Sequence, residues 1–272
     1  MTPRFNEVII FTRNKDEFYA EVIKYLKLHN LKVTPYVKGM KLPRSKKLFS
    51  LVLGGDGWVL SAARDEAPNP VLVINTGHLG FLTSSTKDQY RAAISDLLMG
   101  IHTTTSRKML AVGIEGKTYS ALNDVVIRPT TEEYFTPKLL AFGLYVRNSD
   151  STEELISEYR ADGVIISTPT GSTAYSLSAS GPIIHPTCLT LVVTPICPQG
   201  LMQRPLVLPA TMTLLVKQRD HDMYASFDGQ YSIPIKGDVS VHMNSRQVQL
   251  VNPPFSYFEV LRRKLKWGVN PV

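Results

Sequence analysis

Short apolar runs alternate with helical stripes through the first hundred residues. Residues 6–12 (NEVIIFT) read as a strand, and residues 15–29 carry apolar positions Phe18, Val22, Tyr25, Leu26 and Leu28 near helical spacing. Leu31 to Val37 alternates as a strand does. Leu48 to Leu53 (LFSLVL) and Val71 to Ile74 are continuous apolar runs, which suits strands covered on both faces. Val59 to Arg64 predicts a helix that Pro68 and Pro70 terminate. Residues 86–99 predict another, with Tyr90, Ile94, Leu97 and Leu98 on one face. Strand and helix in this order predict an α/β domain built on a parallel, Rossmann-like sheet.

After residue 106 the texture changes. Strand-like runs dominate at 109–114, 117–128, 138–147, 163–167, 189–195, 212–217, 223–227, 239–242 and 246–251, separated by turn residues. This predicts an all-β, sandwich-like second domain. The expected division is 1–106 for the first domain and 107–255 for the second. The segment 256–272, whose stretch from Tyr257 to Trp267 mixes apolar and basic residues at helical spacing, returns to the first.

Composition narrows the class. Of 272 residues, 43% are hydrophobic and 19% charged, which fits a folded chain rather than a disordered one. There is no apolar run of membrane-spanning length, and the N-terminal apolar stretch is too short for a secretory leader. Two cysteines, Cys188 and Cys197, cannot build a disulfide framework or a four-cysteine zinc site, so a reducing cytoplasm is the expected setting. Thirty basic and 23 acidic residues give a charge of +7, and the first fifty residues supply all of it. A solvated face explains that excess, and so does a surface attracting phosphorylated small molecules. Nucleic-acid binding is disfavoured, because the basic run at 41–47 lacks interleaved aromatics and matches no binding module.

Candidate chemistry sits in four segments. Gly54-Gly55-Asp56-Gly57 follows a buried-type strand and precedes a helix, where open α/β sheets bind ligands. Glycines there let phosphate approach backbone N–H groups, although the loop is neither Walker A nor G-x-G-x-x-G. Asp56 is either a helix-capping turn residue or a carboxylate presented at a nucleotide site. Asn75 to Leu82 is a second glycine-containing loop at a strand end, and its lone His78 is assigned no chemistry. Asn123-Asp124 places a polar pair inside an apolar run, so one of the two side chains must find a polar partner. The pair suits a ribose diol or an amide. In residues 167–181, Ser, Thr, Gly and Ala fill twelve of fifteen positions, which excludes a hydrophobic core strand. With apolar runs on both sides, the segment reads as a binding loop in which Tyr175 can stack on or rim a base.

Together these segments resemble the NAD kinase family. Its signatures stand here as Gly54–Gly57, Asn75–Leu82, Asn123–Asp124 and Asp162–Pro182. Pro195–Pro198, Arg204–Pro209 and Asp228-Gly229-Gln230 are also similar to the family. The resemblance spans roughly residues 50–255 in the family's order. It implies transfer of the γ-phosphoryl of ATP, or of polyphosphate, to the 2′-hydroxyl of the adenosine ribose of NAD, giving NADP, with Mg²⁺ accompanying ATP. It also implies a homo-oligomer, dimer or tetramer, with nucleotides rather than nucleic acid or membrane as partners.

By the same resemblance, Asp56 contacts the NAD ribose and acts as general base, and Gly57 adds a backbone contact. Gly54, Gly55 and Gly57 form the ATP-phosphate loop. Asn123, Asp124, Lys138, Arg160, Asp162, Thr173, Ala174, Tyr175, Ser176, Leu177, Ser178 and Gln230 bind NAD. No protein-built metal site is implied. The chain departs from the family pattern in three places. Trp58 replaces the usual Thr, which changes the loop's shape and removes a hydroxyl. His78 stands where Arg is frequent, and Gln199-Gly200 where His and Ser are frequent. Two rivals remain on sequence: a lipid kinase of the diacylglycerol or sphingosine type, which shares the glycine loop, and a dinucleotide-binding regulator without catalysis, which Trp58 alone suggests.

Overall fold

The apolar runs become parallel strands and the helical stripes cover them. The computed structural model describes residues 4–77, 80–130, 139–219 and 222–266. The chain divides into two units, residues 1–106 with 248–272 and residues 107–247.

The first unit runs β1 (Glu7–Phe11), α1 (Glu17–Leu28), β2 (Lys32–Pro35), β3 (Leu48–Leu53), α2 (Asp56–Arg64), β4 (Val71–Asn75), β5 (Ser85–Thr86) and α3 (Tyr90–Met99). Its strands lie parallel in the order β2-β1-β3-β4, with β5 beside β4. Every residue of β3 and β4 is buried, as continuous apolar runs require of central strands. Asp16 caps α1 by accepting the Tyr19 N–H at 3.0 Å. Phe18, Val22 and Leu26 pack into the core from that helix. Leu28 is 72% exposed, because its position falls off the stripe that the other three define. α3 buries Tyr90, Ile94, Leu97 and Leu98, the face read from its spacing, and ends at Gly100 in the left-handed region, φ 76°. α2 starts at Asp56, three residues before the apolar stripe that reveals it in sequence.

The second unit is built from antiparallel sheets. Its strands are β6 (Thr104–Ile114), β7 (Lys117–Ala121), β8 (Asp124–Pro129), β9 (Leu140–Arg147), β10 (Glu153–Ala161) and β11 (Gly163–Ser167). A single turn, α4 (Tyr175–Ser178), leads on to β12 (Thr190–Ile196), β13 (Leu206–Pro209), β14 (Thr213–Gln218), β15 (Met223–Phe227), β16 (Tyr231–Ile235) and β17 (Val239–Val251). One sheet orders β10-β9-β14-β17, with β6 paired to β17 and β7 to β6; the other orders β13-β12-β11-β8-β15-β16. Val112, Phe142 and Val216 from the first meet Val125, Val164 and Phe227 from the second in one buried core, the arrangement of a β-sandwich. The end of β17 belongs to the first unit, where Leu250 pairs in parallel with Val71. α5 (Tyr257–Leu265) follows there, capped by Ser256 accepting from the Glu259 N–H at 3.2 Å.

Three strands of the second unit escape the hydrophobic pattern. β10 is an edge strand, largely exposed and carrying three glutamates. β13 and β16 are short edge strands, the first ending in Pro209 and the second containing Pro234, a residue that edges tolerate. The run at 117–128 breaks at Leu122-Asn123 into β7 and β8, and the runs at 239–242 and 246–251 join into one strand of thirteen residues.

Candidate functional site

In the first unit the chemistry gathers at the ends of β3 and β4. Gly54 has φ 153°, and Gly55 is the N-cap of α2. Asp56 occupies the first turn of α2, and its carboxylate does not cap its own helix. It reaches the second loop and accepts the backbone N–H of Phe81 at 2.9 Å and of Leu82 at 3.1 Å. Each carboxylate oxygen is therefore fixed by one N–H and keeps acceptor capacity for another partner. The second loop is stiffened in turn. Gly77 N–H donates to Asn75 Oδ1 at 2.8 Å, and Gly80 N–H donates to Thr83 Oγ1 at 3.0 Å. Gly54 and Gly55 line a cavity of about 310 Å³ with Arg13 and Trp58. His78, Leu79 and Lys138 lie outside the described residues.

The second unit carries its own pocket, of about 460 Å³, on the face of the β8-containing sheet opposite the core. That volume is in the range of small-molecule sites. Asn123 precedes β8 and Asp124 opens it, and the alternation of that strand sends Asp124, Val126 and Arg128 to the pocket while Val125 and Ile127 enter the core. Ala174 and Tyr175 contribute from the small-residue segment, and Tyr224, Ser226 and Asp228 from β15 and its turn.

Asp228 holds the bend that presents the polar pair. It sits at φ 52°, followed by Gly229 at φ 63°. Its carboxylate accepts the N–H groups of Leu122, Asn123 and Asp124 at 3.0, 2.7 and 3.2 Å. Asp124 is 3% exposed. Burial, with the nearby Asp228 charge adding to it, pushes its pKa up to about 7. Arg128 is the cation of the pocket: its guanidinium lies 5.5 Å from the centre of the Tyr175 ring and donates to the Tyr175 hydroxyl.

The small-residue segment wraps the same bend. Thr168 N–H donates to Asn123 O at 2.8 Å, and Thr168 Oγ1 donates to Leu122 O at 2.6 Å. A β-carbon on Gly171 would meet Asn123 O at 2.1 Å, so only glycine fits. Ser172 hydroxyl donates to Pro169 O and accepts from Ile184 N–H, and Thr173 hydroxyl donates to Thr170 O. Ser176 is fully buried with its hydroxyl 2.9 Å from that of Thr194. Much of the hydroxyl content therefore holds the loop's own shape, while Ala174 and Tyr175 line the pocket. Leu177 is half-buried and Ser178 exposed.

Arg160, Asp162 and Gln230 are exposed and do not line that pocket. Arg160 borders a separate cavity with Gln199, Gly200, Gln203 and Arg219. Arg128, Tyr224 and Ser226 are pocket residues that motif reading passed over, and Asp228, read as part of the Asp228-Gly229-Gln230 motif, was given no role of its own. For Arg128 the signal was available, since alternation counted from Asp124 puts residues 124, 126 and 128 on one face. Among the described residues, no group of three or more His, Cys, Asp or Glu side chains forms a ready metal site. No described helix is long and apolar enough to cross a membrane.

The family model for the ATP-NAD kinase N-terminal domain matches residues 13–101, and that for the ATP-NAD kinase C-terminal domain matches residues 122–252. The NAD kinase of Geobacter sulfurreducens is 40% identical over 80% of this chain and 78% of its own length. That of Solibacter usitatus is 38% identical over 85% and 83%. Among solved structures, the NAD kinase of Archaeoglobus fulgidus in complex with ATP superposes with TM-score 0.79 at 20% identity, covering 96% of this chain and 98% of that one. The yeast NADH kinase complexed with NADH gives TM-score 0.79 at 23% identity, covering 99% and 90%. These two structures establish the fold. The sequence matches run through both halves of the chain, whereas the lipid-kinase reading rested on the glycine loop alone. The curated relatives are kinases, which favours an enzyme over a non-catalytic dinucleotide binder. The chain belongs to the NAD kinase family.

Proposed function

We propose that this chain phosphorylates NAD at the 2′-hydroxyl of its adenosine ribose, with ATP as donor and NADP as product. In this reading Asp56 is the general base. The 2′-oxygen forms a bond to the γ-phosphorus as the bond from that phosphorus to the β–γ bridging oxygen breaks. The hydroxyl proton passes to the Asp56 carboxylate and ADP leaves. Such transfers depend chiefly on positioning and charge neutralisation. The observation that supports the assignment most directly is the fixing of Asp56 by the N–H groups of Phe81 and Leu82. A carboxylate locked by a neighbouring loop is already oriented for its proton.

The pocket of Asn123, Asp124, Arg128 and Tyr175 is proposed to hold NAD, with carboxylate and amide groups suited to hydroxyl and amino donors and an aromatic ring suited to a base. Gly57, Arg160, Asp162, Thr173, Leu177, Ser178 and Gln230 remain proposed NAD contacts. Ser176 is proposed to act through the loop's shape. Mg²⁺ arriving with ATP would be held largely by phosphate oxygens and water. Asp16, the carboxylate lining the Gly54–Gly55 cavity, would meet it. The ion supplies charge neutralisation on the triphosphate. A homo-oligomer and a cytoplasmic setting complete the proposal.

The test is NADP formation from NAD, ATP and Mg²⁺, followed through an NADP-specific dehydrogenase. Asp56→Asn should fold and lose at least about 10²-fold in kcat, the lower end of general-base contributions. A variant within a few-fold of wild type would remove Asp56 from the mechanism.

A further inference from the structure

The pocket of the second unit has an acidic end and a basic end. Asp124 opens β8, and Asp228 is bound to the backbone N–H groups at that same point. Arg128 stands four residues further along the pocket face of β8, a distance of about 13 Å along a strand. Of the described residues that line this pocket, Arg128 alone is cationic. NAD offers donors at its hydroxyl and amino groups, and it carries negative charge only at its diphosphate bridge.

The fold places the Arg128 guanidinium and leaves most of its donors unused. Among the described residues, its hydrogen-bond partner is the Tyr175 hydroxyl, which accepts from Nη2. Its Nε–H is buried with no partner, in a group that has five N–H donors. The stem is positioned from β11. A β-carbon on Gly163 would meet Arg128 Cγ at 2.8 Å and Ile127 O at 2.5 Å, so glycine there makes the room in which the stem lies. Held at the stem by one neighbour and at the tip by another, the guanidinium needs little further ordering when a ligand arrives.

Resting on the NAD kinase reading, we propose that Arg128 anchors the diphosphate bridge of the dinucleotide and so fixes how the ligand lies along β8. The acidic end of the pocket repels the bridge and accepts hydroxyl or amino hydrogens instead. At the other end Arg128 gives charge-assisted hydrogen bonds to phosphate oxygens, in the planar fork that suits them. Tyr175 serves both partners: its hydroxyl fixes the guanidinium, and its ring is left for the adjoining base. A ligand without the bridge keeps the base and the hydroxyls and gains nothing from Arg128.

The test uses two ligands that differ in the bridge: ADP-ribose carries the diphosphate, and adenosine carries no phosphate. In calorimetric titrations without ATP, wild type should bind ADP-ribose at least about tenfold more tightly than adenosine, the equivalent of about 1.4 kcal/mol. Added salt should weaken the first far more than the second. Arg128→Met, which keeps much of the stem and loses the charge, should weaken ADP-ribose about tenfold, remove most of its salt dependence and leave adenosine within about twofold. Arg128→Lys, a point charge without the fork, should fall between. KM for NAD should follow ADP-ribose across the series. Equal affinity of wild type for the two ligands overturns the proposal, whether or not any variant folds. So does an Arg128→Met that weakens neither ligand, or one that weakens both alike, since Arg128 would then act only by holding Tyr175. ADP-ribose bound through Arg128 with no NADP formed would sink the kinase reading and leave the anchor standing. NADP formed by Arg128→Met with an unchanged KM for NAD would do the reverse.

Discussion

A β-carbon on Gly80 would lie 2.0 Å from Asp56 Oδ1. The glycine and the carboxylate are 24 positions apart in sequence, yet the space that one leaves empty is the space that the other fills. The N–H groups of Phe81 and Leu82, just after Gly80, then hold that carboxylate at both oxygens. The glycine loop and the second loop therefore act together: the first supplies the acid and the second sets its direction.

Gly80→Ala tests this arrangement without touching Asp56. The clashing atoms are the far end of a side chain, so Asp56 can swing aside and the chain should still fold. Displacement of the carboxylate costs its two backbone hydrogen bonds, about 1 kcal/mol each. A misplacement near 1 Å at a reacting group is worth about 10²-fold in rate. The expected variant melts within a few degrees of wild type and forms NADP about a hundred times more slowly, with KM for NAD little changed. Full activity in Gly80→Ala would show that Asp56 need not stand where Phe81 and Leu82 hold it.

Asp124 makes stability fall as pH rises. Its folded pKa, pushed up to about 7 by burial and then by Asp228, lies above the unfolded value near 3.9. Between about pH 4 and 7 the folded chain keeps a proton that the unfolded chain has lost. Stability then declines by about 1.4 kcal/mol per pH unit through that window. Above pH 7 both states are ionised and the whole penalty, about 4 kcal/mol, is present. Asp124→Asn has no proton to lose. Thermal melts of the ligand-free protein should find the variant more stable than wild type at pH 8, with the difference shrinking toward pH 4. A variant equally destabilised at every pH would contradict a buried, titrating carboxyl.

The fold was legible wherever burial writes itself into composition. β3 and β4 are buried at every residue and read as unbroken apolar runs. The face of α3 follows from its spacing because one side packs on the core. Legibility ends at edges. β10 has few buried residues, so nothing in its side chains distinguishes it from a loop. The site divides in the same way. The glycine loop and the Asn–Asp pair stand out because polar or flexible residues interrupt apolar runs. The partners that hold them do not stand out: Asp228 reaches back more than a hundred positions to Leu122 and Asn123, and no local pattern encodes a contact of that range. The Ser/Thr-rich segment was read from its composition as a binding loop. Composition alone does not separate Ser176, bonded to Thr194, from Tyr175, which faces the pocket.

That last pair yields a test by contrast. Ser176 is buried, and its hydroxyl satisfies Thr194 at 2.9 Å; beside it, a β-carbon on Gly181 would meet Ser176 Oγ at 2.2 Å. Ser176→Ala leaves the Thr194 hydroxyl without this partner in a dry environment, a loss of about 1–3 kcal/mol. The variant should melt several degrees lower, while KM for NAD stays within about twofold once the protein is folded. Tyr175 is 38% exposed and lines the pocket under the Arg128 guanidinium. Tyr175→Ala gives up a partly exposed ring and its contact with Arg128 at the pocket rim, so its melting temperature should fall less than that of Ser176→Ala. It also removes the ring on which a base could stack, so KM for NAD should rise about tenfold. Calorimetric melts and NAD titrations on both variants separate the two roles. A rise in KM for Ser176→Ala with unchanged stability would place that hydroxyl in the binding surface after all.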